Sequence, residues 1–341
     1  MAGPAVLGAW LLSGAIVAYA ATAVARRYAL RRQLLDQPGE RRSHQAPTPR
    51  GGGISIVLVL LLAAVAWGVL EPWRLGTVAM LAAGMALVAG IGWIDDHRPL
   101  SPWLRLGVHG LAALLLAAAL LREGAGAADA AFAFAAAVVL TNVWNFMDGI
   151  DGIATTQALL VAAAWTLFAG GGPPFWLGLA MVAAAAGFLP FNFPRARIFL
   201  GDVGSGALGY ALAVQLALLA SGADARTATL LVLPLLPFLL DASLTLLSRI
   251  LRGEAWWRPH VQHAYQAWAR RAGAHAPVTL AYAAATCVTG IAMFVLRSWS
   301  SAIIMSSCVA LMAAGGAAWK QSRGPSTGGR DGPDGLRDGK P

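Results

Sequence analysis

The sequence predicts an all-α, polytopic integral membrane protein. Of its 341 residues, 58% are hydrophobic and only 12% are charged, and the mean hydropathy is +0.63. Soluble domains carry about 25% charged residues, so a water-soluble globular fold is excluded. Long apolar stretches recur along the chain, and most approach the roughly 20 residues that a helix needs to cross a bilayer.

Eleven transmembrane helices account for these stretches. The first is interpreted as a retained helix and not as a cleaved signal, because no basic segment precedes it and further apolar segments follow. The ninth contains Pro234 and Pro237, which are expected to kink or break it. The predicted spans cover residues 4–25, 51–70, 76–94, 105–121, 129–142, 153–170, 174–191, 204–221, 226–248, 276–296 and 300–319.

The basic residues predict the orientation of the chain in the membrane. All but four of the 25 Lys and Arg residues fall in alternate loops or in the tail, the exceptions being Arg74, Arg122, Arg226 and Arg297. Positive residues are retained in the cytoplasm, so we expect a periplasmic N-terminus and a cytoplasmic C-terminus. Topology and attraction to anionic lipid then explain the net charge of +9, and no nucleic-acid partner is expected.

The domain organisation is predicted to be simple. Residues 1–319 are expected to form one transmembrane domain with cytoplasmic catalytic loops. Residues 320–341 are rich in Gly, Arg and Asp and lack the apolar residues needed to pack, so a disordered cytoplasmic tail is expected. Cys287 and Cys308 lie inside apolar stretches, which indicates buried packing rather than a disulfide or a zinc site.

Five aspartates at the cytoplasmic ends of the predicted spans are the strongest functional signal. A carboxylate beside the bilayer core is costly unless it has a partner, so a shared cation or substrate is indicated. An adjacent pair can simply cap a helix, but a divalent cation would also remove its repulsion, and oxygen ligands favour magnesium over zinc. The five are Asp95, Asp96, Asp148, Asp151 and Asp202.

Other polar residues accompany these acids in the same loops. Asn145, Asp148 and Asp151 are spaced by three, which would bring them to one face of a helical turn. Asp202 precedes an apolar helix whose first amides would favour an anion such as phosphate. Phe199 is suited either to stacking on a base or to anchoring at the membrane interface.

Two loops carry basic residues and histidines. His260 and His263 lie among arginines and tryptophans, where phosphate or pyrophosphate binding is favoured over metal ligation. In the first cytoplasmic loop Arg41, Arg42 and His44 offer phosphate contacts.

Asp241 differs from the other acids because it lies inside the ninth predicted span. An ionisable residue within a span indicates function, and structural pairing with Arg249 is the alternative.

The order of the motifs resembles the polyprenyl-phosphate N-acetylhexosamine-1-phosphate transferase superfamily. The resemblance runs from about residue 35 to 266 through Pro-Thr-Pro-Arg-Gly-Gly-Gly, Asp-Asp, Asn-x-x-Asp-Gly-Ile-Asp-Gly and Gly-Asp-Val-Gly-Ser. It implies transfer of a sugar-1-phosphate from a UDP-N-acetylhexosamine to undecaprenyl phosphate, with release of UMP. It further implies dependence on Mg²⁺, with Mn²⁺ as a substitute, and a bacterial inner-membrane location with the active site on the cytoplasmic face. A homodimer is left open.

The resemblance also assigns roles by position. The Asp-Asp pair matches the motif for catalysis and for metal or lipid-phosphate handling, and Phe199 matches an aromatic that stacks on uracil. We therefore expect catalytic roles for Asp95, Asp96, Asp151, His260 and His263, substrate contacts for Asn145, Asp148, Asn192, Phe199, Arg41, Arg42 and His44, and metal contacts for Asp202, Asp95 and Asp96.

The histidine loop departs from the two best-known branches of the superfamily. The GlcNAc-1-phosphate enzymes have a His-x-His-His pattern and the translocase has consecutive histidines, whereas Gln262 precedes His263 here. The form looks more like the branch that initiates O-antigen and exopolysaccharide synthesis. The alternatives are phospho-MurNAc-pentapeptide transfer, phosphatidyl transfer from a CDP-linked donor and, in a different class, secondary transport, which also uses intramembrane acids and a broken helix.

Overall fold

The computed structural model describes residues 3–37, 47–255, 257–258 and 260–323. Within them the chain is almost wholly helical, which confirms the predicted all-α class. Two short strands, β1 (Leu35–Asp36) and β2 (Thr48–Pro49), pair antiparallel. The helices are α1 Pro4–Arg31, α2 Ile54–Leu70, α3 Leu75–His97, α4 Pro102–Arg122, α5 Ala127–Phe146, α6 Ile153–Ala169, α7 Gly172–Asn192, α8 Gly201–Ala220, α9 Ala225–Val232, α10 Leu236–Leu251, α11 Ala264–Ala272, α12 Ala276–Leu296 and α13 Ser301–Arg323.

Nine helical segments of the described chain are long and apolar enough to cross a membrane. Helices α2 and α6 are shorter apolar helices of 17 residues each, close to the lower limit of about 17 residues for a span. Together these segments coincide with the eleven predicted spans. The predicted orientation of the termini stays a prediction.

The ninth predicted span is interrupted where its prolines occur. Helices α9 and α10 are joined by a tight 3₁₀ turn at Leu233–Leu235, and Pro234 lies inside that turn. Proline lacks an amide hydrogen and cannot continue the regular hydrogen-bond ladder, so the predicted break is confirmed. Helix α11 lies in a loop where no helix was predicted.

Helix α8 is the centre of the bundle. Every residue from 203 to 217 is buried, and α8 packs against α3 and α5. A Cβ at Gly209 would collide with the backbone of Leu140 on α5, so the two helices approach closely through a small residue, as is typical of helix packing in lipid. Because Asp202 lies in the first turn of α8, it lies at one end of this central helix and is surrounded by its neighbours.

The ends of the chain lie partly outside the described residues. Helix α13 continues to Arg323, so the first residues of the predicted disordered tail are helical, and the remainder of that prediction falls outside the described ranges. Cys308 is buried as predicted. The prediction for Cys287 is wrong, because it is exposed on α12, a helix that is buried along only one face.

Candidate active site

The C-terminal end of α3 meets the N-terminal end of α8 through Asp96. One carboxylate oxygen of Asp96 accepts a hydrogen bond from the amide of Asp202 at 3.0 Å, and the other accepts from the amide of Val203 at 3.2 Å. Asp96 is 4% exposed. A carboxylate at this place satisfies amides that have no partner within the helix and suits the positive end of its dipole. Asp96 therefore fixes the direction of the first turn of α8.

Two glycines allow this close approach. Gly201 has φ +75°, and a Cβ there would collide with the Asp96 carboxylate. Gly92, one turn before Asp96, lies directly against the backbone of Asp202. A side chain at either position would separate α3 from α8.

The neighbouring carboxylates, Asp95 and Asp202, share one guanidinium group. Nη1 of Arg105 donates to Asp95 at 2.7 Å and to Asp202 at 2.5 Å. The other oxygen of Asp95 accepts from the amide of Leu100 at 2.6 Å. Both carboxylates are only partly buried. The structure thus brings two acids from distant parts of the sequence to the guanidinium group of Arg105.

The carboxylates of Asp95 and Asp202 are ligands of the kind with which proteins bind Mg²⁺. That ion is usually held by one or two carboxylates together with substrate phosphates, and not by a closed cage of protein ligands. Among the residues that the structure describes, no group of three or more His, Cys, Asp or Glu side chains is arranged to hold a metal. Asp95 and Asp202 are instead a two-carboxylate pair. Mg²⁺ at this pair stays a prediction.

The loop between α5 and α6 carries Asp148 and Asp151. Burial, together with the negative charges of Asp96 and Asp151, raises the pKa of Asp148 to about 8. The side chain of Asp148 is partly buried. The carboxyl group therefore holds a proton at neutral pH.

Asp151 has a partner that the sequence reasoning missed. Its carboxylate lies 3.1 Å from Nδ1 of His275, which precedes α12. Its carbonyl accepts a hydrogen bond from the hydroxyl of Thr279 at 2.8 Å. Helix α12 thus holds the loop of Asp151 in place. The only signal available was that His275 begins a span at the same predicted membrane face.

Asp241 anchors the start of α11. Its carboxylate accepts hydrogen bonds from the amides of Ala264 at 2.9 Å and Tyr265 at 3.0 Å, and from the hydroxyl of Tyr282 at 2.6 Å. Nδ1 of His263 lies 3.5 Å away. Asp241 is 2% exposed. The intramembrane acid therefore connects α10 to the helix that follows the histidines.

Arg249 makes a different ion pair from the one considered as an alternative. Its guanidinium donates to Glu254 at 2.9 Å and to the carbonyl of Ala255 at 3.0 Å. Glu254 also pairs with Arg252 at 2.8 Å and accepts from Gln262 at 3.0 Å. The predicted pairing of Asp241 with Arg249 is thus wrong. Helix α10 ends just after Arg249, and the Arg249 side chain contacts the loop that follows.

The histidines stack beside the Asp148 loop. The rings of His260 and His263 lie 4.9 Å apart, and the ring of Phe146 lies 6.5 Å from that of His263. Burial, together with the charges of His263 and Arg249, lowers the pKa of His260 to about 4. The hydroxyl of Tyr265 donates to the carbonyl of Phe146 at 3.1 Å. His260 is therefore neutral, and both rings are held close to α5.

The glycine-rich loop docks on the segment that leads into α8. The amides of Gly52 and Gly53 donate to the carbonyls of Phe199 and Leu200 at 2.9 and 2.8 Å. A Cβ at Gly53 would collide with the backbone of Gly204. Arg50, just before these glycines, lies near enough for its charge to act on Asp96.

The remaining residues that were predicted to contact substrate lie in different surroundings. Asn145 donates to the hydroxyl of Ser205 at 3.1 Å and so joins α5 to α8. Asn192 is buried, and its side chain donates to the carbonyl of Ile198 at 3.1 Å. Phe199 is partly buried. The substrate contacts predicted for these three stay predictions, and Arg41, Arg42 and His44 lie outside the described residues.

The five aspartates lie at one end of the bundle, which we call the aspartate face (Asp95, Asp96, Asp148, Asp151 and Asp202). Hydrogen bonds link Asp95, Asp96 and Asp202, and the charges of Asp96 and Asp151 act on Asp148. Comparison with known proteins identifies the family. The sequence model of the family described as "Glycosyl transferase family 4" matches residues 78–220, a range that contains all five acids. The decaprenyl-phosphate N-acetylglucosaminephosphotransferase of Mycobacterium leprae is 31% identical over 313 residues, 79% of this chain and 78% of that protein. The chain belongs to glycosyl transferase family 4.

Other relatives match over shorter ranges. The decaprenyl-phosphate N-acetylglucosaminephosphotransferase of Mycobacterium tuberculosis is 34% identical over 233 residues, which are 59% of this chain and 57% of that protein. The phospho-N-acetylmuramoyl-pentapeptide-transferase of Moorella thermoacetica is 34% identical over 200 residues, 50% of this chain and 62% of that protein. The chain thus spans little more than half the length of these relatives. With its membrane-length helices, this member of glycosyl transferase family 4 is a multi-pass bacterial membrane protein.

Proposed function

We propose that the protein transfers an N-acetylhexosamine-1-phosphate from a UDP-sugar to undecaprenyl phosphate, with release of UMP. The observation that carries the proposal is the convergence of Asp95 and Asp202 on the guanidinium group of Arg105 at one end of the helical bundle. The names of the relatives support the class of reaction, because they describe phosphotransferases that act on polyprenyl phosphate.

The proposed chemistry depends on position and charge. An oxygen of the lipid phosphate attacks the sugar-proximal phosphorus of the UDP-sugar, the bond between the two phosphates breaks, and UMP leaves with the electron pair. Phosphoryl transfer needs little more than alignment and stabilisation of negative charge. Bound Mg²⁺ would be held by Asp95 and Asp202 and would neutralise the diphosphate. Arg105 holds these carboxylates together.

The side chains around Asp95 and Asp202 have separate roles. Asp96 is committed to the amides of α8, so it positions Asp202 and leaves contact with the lipid phosphate to Asp95. Neutral His260 can donate a hydrogen bond to a phosphate oxygen without adding a fixed charge. Asp148, which holds a proton because its pKa is about 8, can donate to the nucleotide or the sugar.

The surroundings of the aspartate face suit a lipid substrate. Trp103 and Trp257 are exposed with ring centroids 6.5 Å apart, and Phe146 is also exposed. Aromatic side chains of this kind are enriched at the level of lipid headgroups. A soluble nucleotide and a lipid phosphate can therefore meet there. We assign this face to the cytoplasm, in agreement with the distribution of basic residues.

We further assign the protein to O-antigen or exopolysaccharide initiation, the first membrane step of a cell-envelope glycan. Gln262 supports this assignment. Its side chain accepts from Arg252 at 2.6 Å and donates to Glu254 at 3.0 Å, so it braces the loop where the related branches carry a further histidine. A transferase for the pentapeptide-bearing sugar is the second candidate, and the relative from Moorella thermoacetica is the observation in its favour.

The test is a donor panel with purified protein in lipid nanodiscs. UDP-GlcNAc, UDP-GalNAc, UDP-MurNAc-pentapeptide and a CDP-linked donor are each supplied with undecaprenyl phosphate and Mg²⁺, and UMP and the lipid product are identified by mass. UMP release from a UDP-N-acetylhexosamine is expected. Asp202→Asn should abolish it, whereas Asp224→Asn, at an exposed helix cap at the opposite end, should not. Preference for UDP-MurNAc-pentapeptide, or a product formed only from the CDP donor, would contradict the assignment.

A further inference from the structure

Helix α13 lies at the periphery of the bundle, yet its last turn makes specific polar contacts. Of its 23 residues only Ile304 and Cys308 are buried, so the helix faces lipid along most of its length. A Cβ at Gly315 would collide with the side chain of Leu240 on α10, so the two helices approach closely there. Among the described residues, the hydrogen bonds from α13 to other helices all involve residues 319–323.

The indole of Trp319 reaches Asp241 through one intervening hydroxyl group. Nε1 of Trp319 donates to Oγ1 of Thr245 at 3.1 Å, and that hydroxyl donates to a carboxylate oxygen of Asp241 at 3.1 Å. Thr245 lies one turn after Asp241 on α10 and has no exposed surface. An indole N–H can only donate, and a hydroxyl has a single hydrogen to give. The direction of these bonds, from α13 toward the carboxylate, is therefore fixed.

The hydrogen from Thr245 completes the set of donors around Asp241. The same carboxylate accepts from two amides at the start of α11 and from the hydroxyl of Tyr282, and an ionised carboxylate has about four acceptor positions. A threonine hydroxyl within a helix can otherwise donate to the carbonyl one turn earlier. The bond from Trp319 holds the oxygen of Thr245 where it meets Asp241.

A second contact connects α13 to the helix on the other side of the histidine loop (residues 260–263). Arg271, near the end of α11, donates to the carbonyl of Gln321 at 3.3 Å and to the carbonyl of Ser322. The last carbonyls of a helix have no partner within that helix, so the guanidinium group caps α13. Helix α11 is thereby held against the same turn that contacts α10.

Arg323 adds a third contact, on the side of α10. Its guanidinium group donates to the hydroxyl of Ser248 at 3.1 Å and lies 4.7 Å from the ring centroid of Trp319, within the range of a cation–π contact. Its charge is also near enough to act on His260. The last turn of α13 therefore contacts both helices that flank the histidine loop.

We propose that the last turn of α13 is a positioning element of the active site, with Trp319 as its central residue. Trp319 fixes Thr245, Thr245 completes the hydrogen bonding of Asp241, and Asp241 holds the amides that follow His263. Loss of the indole N–H loosens the histidine loop from outside the bundle. The effect on the reaction rests on the proposed function, whereas the order of the loop does not.

Hydrogen exchange of the full-length protein in lipid nanodiscs tests the proposal. Wild type is compared with Trp319→Phe, Thr245→Val, the double variant and Trp299→Phe. Trp299 is 50% exposed and precedes the other end of α13, so Trp299→Phe is the matched control and should not change exchange in residues 260–272. Trp319→Phe removes one hydrogen bond and should speed exchange there about two- to tenfold.

The double variant tests the route through Thr245. Thr245→Val keeps the shape of the side chain but removes its hydroxyl, so it should speed exchange in residues 260–272 as well. Because both substitutions break one chain of contacts, the double variant should exchange no faster than the more affected single variant. Additive effects would show that Trp319 does not act through Thr245, and would overturn the proposal.

UMP release is the second readout. For Trp319→Phe, kcat/KM for the UDP-sugar should fall in parallel with the faster exchange, and Trp299→Phe should match wild type. Faster exchange with unchanged UMP release by an active wild type would remove the positioning role. If wild type releases no UMP from any donor, the proposed function fails, and exchange alone still decides whether α13 orders the loop.

Unchanged exchange in residues 260–272 of Trp319→Phe would overturn the proposal. Faster exchange confined to α13 itself would have the same meaning, because the indole would then anchor only its own helix. If Trp319→Phe does not fold, Arg271→Gln takes its place. That variant removes the separate contact to the carbonyls of α13, and it should speed exchange in residues 260–263 if α13 holds the loop.

Discussion

Asp96 binds the first amides of the helix that carries Asp202, through contacts of 3.0 and 3.2 Å. Adjacent residues on a helix point about 100° apart, because a turn takes 3.6 residues. Asp96 therefore faces α8, while Asp95 faces Arg105. The Asp-Asp motif combines an anchor for α8 with a carboxylate that shares Arg105 with Asp202, and the two roles can be separated by mutation.

The first prediction concerns the division of roles in this pair. Asp96→Ala leaves two amides of α8 without a partner and should lower the free energy of unfolding by about 1–3 kcal/mol. Asp95→Asn should change stability less but raise the Mg²⁺ concentration needed for half-maximal UMP release. Thermal unfolding and a Mg²⁺ titration of each variant measure the two effects. Equal loss of stability in both variants would show that the two acids are not separated in this way.

The second prediction concerns Arg105 and the cation. In chelator, Arg105→Gln removes a charge-assisted contact to each of Asp95 and Asp202, and should lower the unfolding free energy by about 1.5–3 kcal/mol. Mg²⁺ or Mn²⁺ should then raise the melting temperature of this variant more than that of wild type, because the ion replaces the missing charge. Exposed Arg98, in the short connection before the helix that carries Arg105, provides the control, Arg98→Gln. A cation response equal in all three proteins would contradict a metal site at this pair.

Much of the architecture could be predicted because lipid imposes a simple rule. Backbone groups within the bilayer must bond within their own helix, so apolar runs give the eleven segments, and Pro234 gives the break between α9 and α10. The grouping of the five acids followed from counting basic residues by loop. These signals are local or additive along the chain.

What could not be predicted depends on contacts between distant segments. Nothing near His275 shows that it meets Asp151, and the pairing of Asp241 with the amides of α11 requires knowledge that a helix begins after His263. The separate directions of Asp95 and Asp96 likewise depend on where α8 starts. Side-chain partners of this kind are set by tertiary packing, which a single sequence does not display.

The third prediction concerns Asp241 as a positioning residue. Asp241→Asn keeps the shape but removes the charge and leaves one of the amides of Ala264 and Tyr265 without an acceptor. It should cost about 1–3 kcal/mol of stability and speed hydrogen exchange in residues 260–272. Tyr282→Phe removes only the 2.6 Å contact to Asp241, so a smaller loss of about 1 kcal/mol is expected.

Hydrogen exchange in residues 260–272 distinguishes a positioning role of Asp241 from a general contribution to stability. If Asp241→Asn lowers the melting temperature but leaves hydrogen exchange of residues 260–272 unchanged, Asp241 does not hold the histidine loop. If it speeds exchange there and UMP release falls in parallel, the loop must be ordered for the reaction.

The last prediction is a pH dependence that arises from Asp148. Its pKa is raised from 3.8 to about 8 in the folded protein, whereas the unfolded chain has the ordinary value of about 3.9. Between these two values the folded protein holds a proton that the unfolded chain has lost. The contribution of Asp148 to the free energy of unfolding is therefore fully present below about pH 4 and decreases as the pH rises toward 8. Asn is neutral throughout, so Asp148→Asn should gain stability relative to wild type as the pH increases.

The measurement is the difference in melting temperature between Asp148→Asn and wild type, in chelator, from pH 5 to pH 9. The difference should rise with pH up to about 8 and then level off, because wild-type Asp148 is ionised above its pKa. Asp224→Asn is the control, since its carboxyl group is exposed and hydrogen bonding to Thr227 lowers its pKa, which leaves its charge constant over this range. A flat difference for Asp148→Asn would mean that Asp148 is already ionised at pH 5, and that the carboxylates of the aspartate face are neutralised by the protein without a proton.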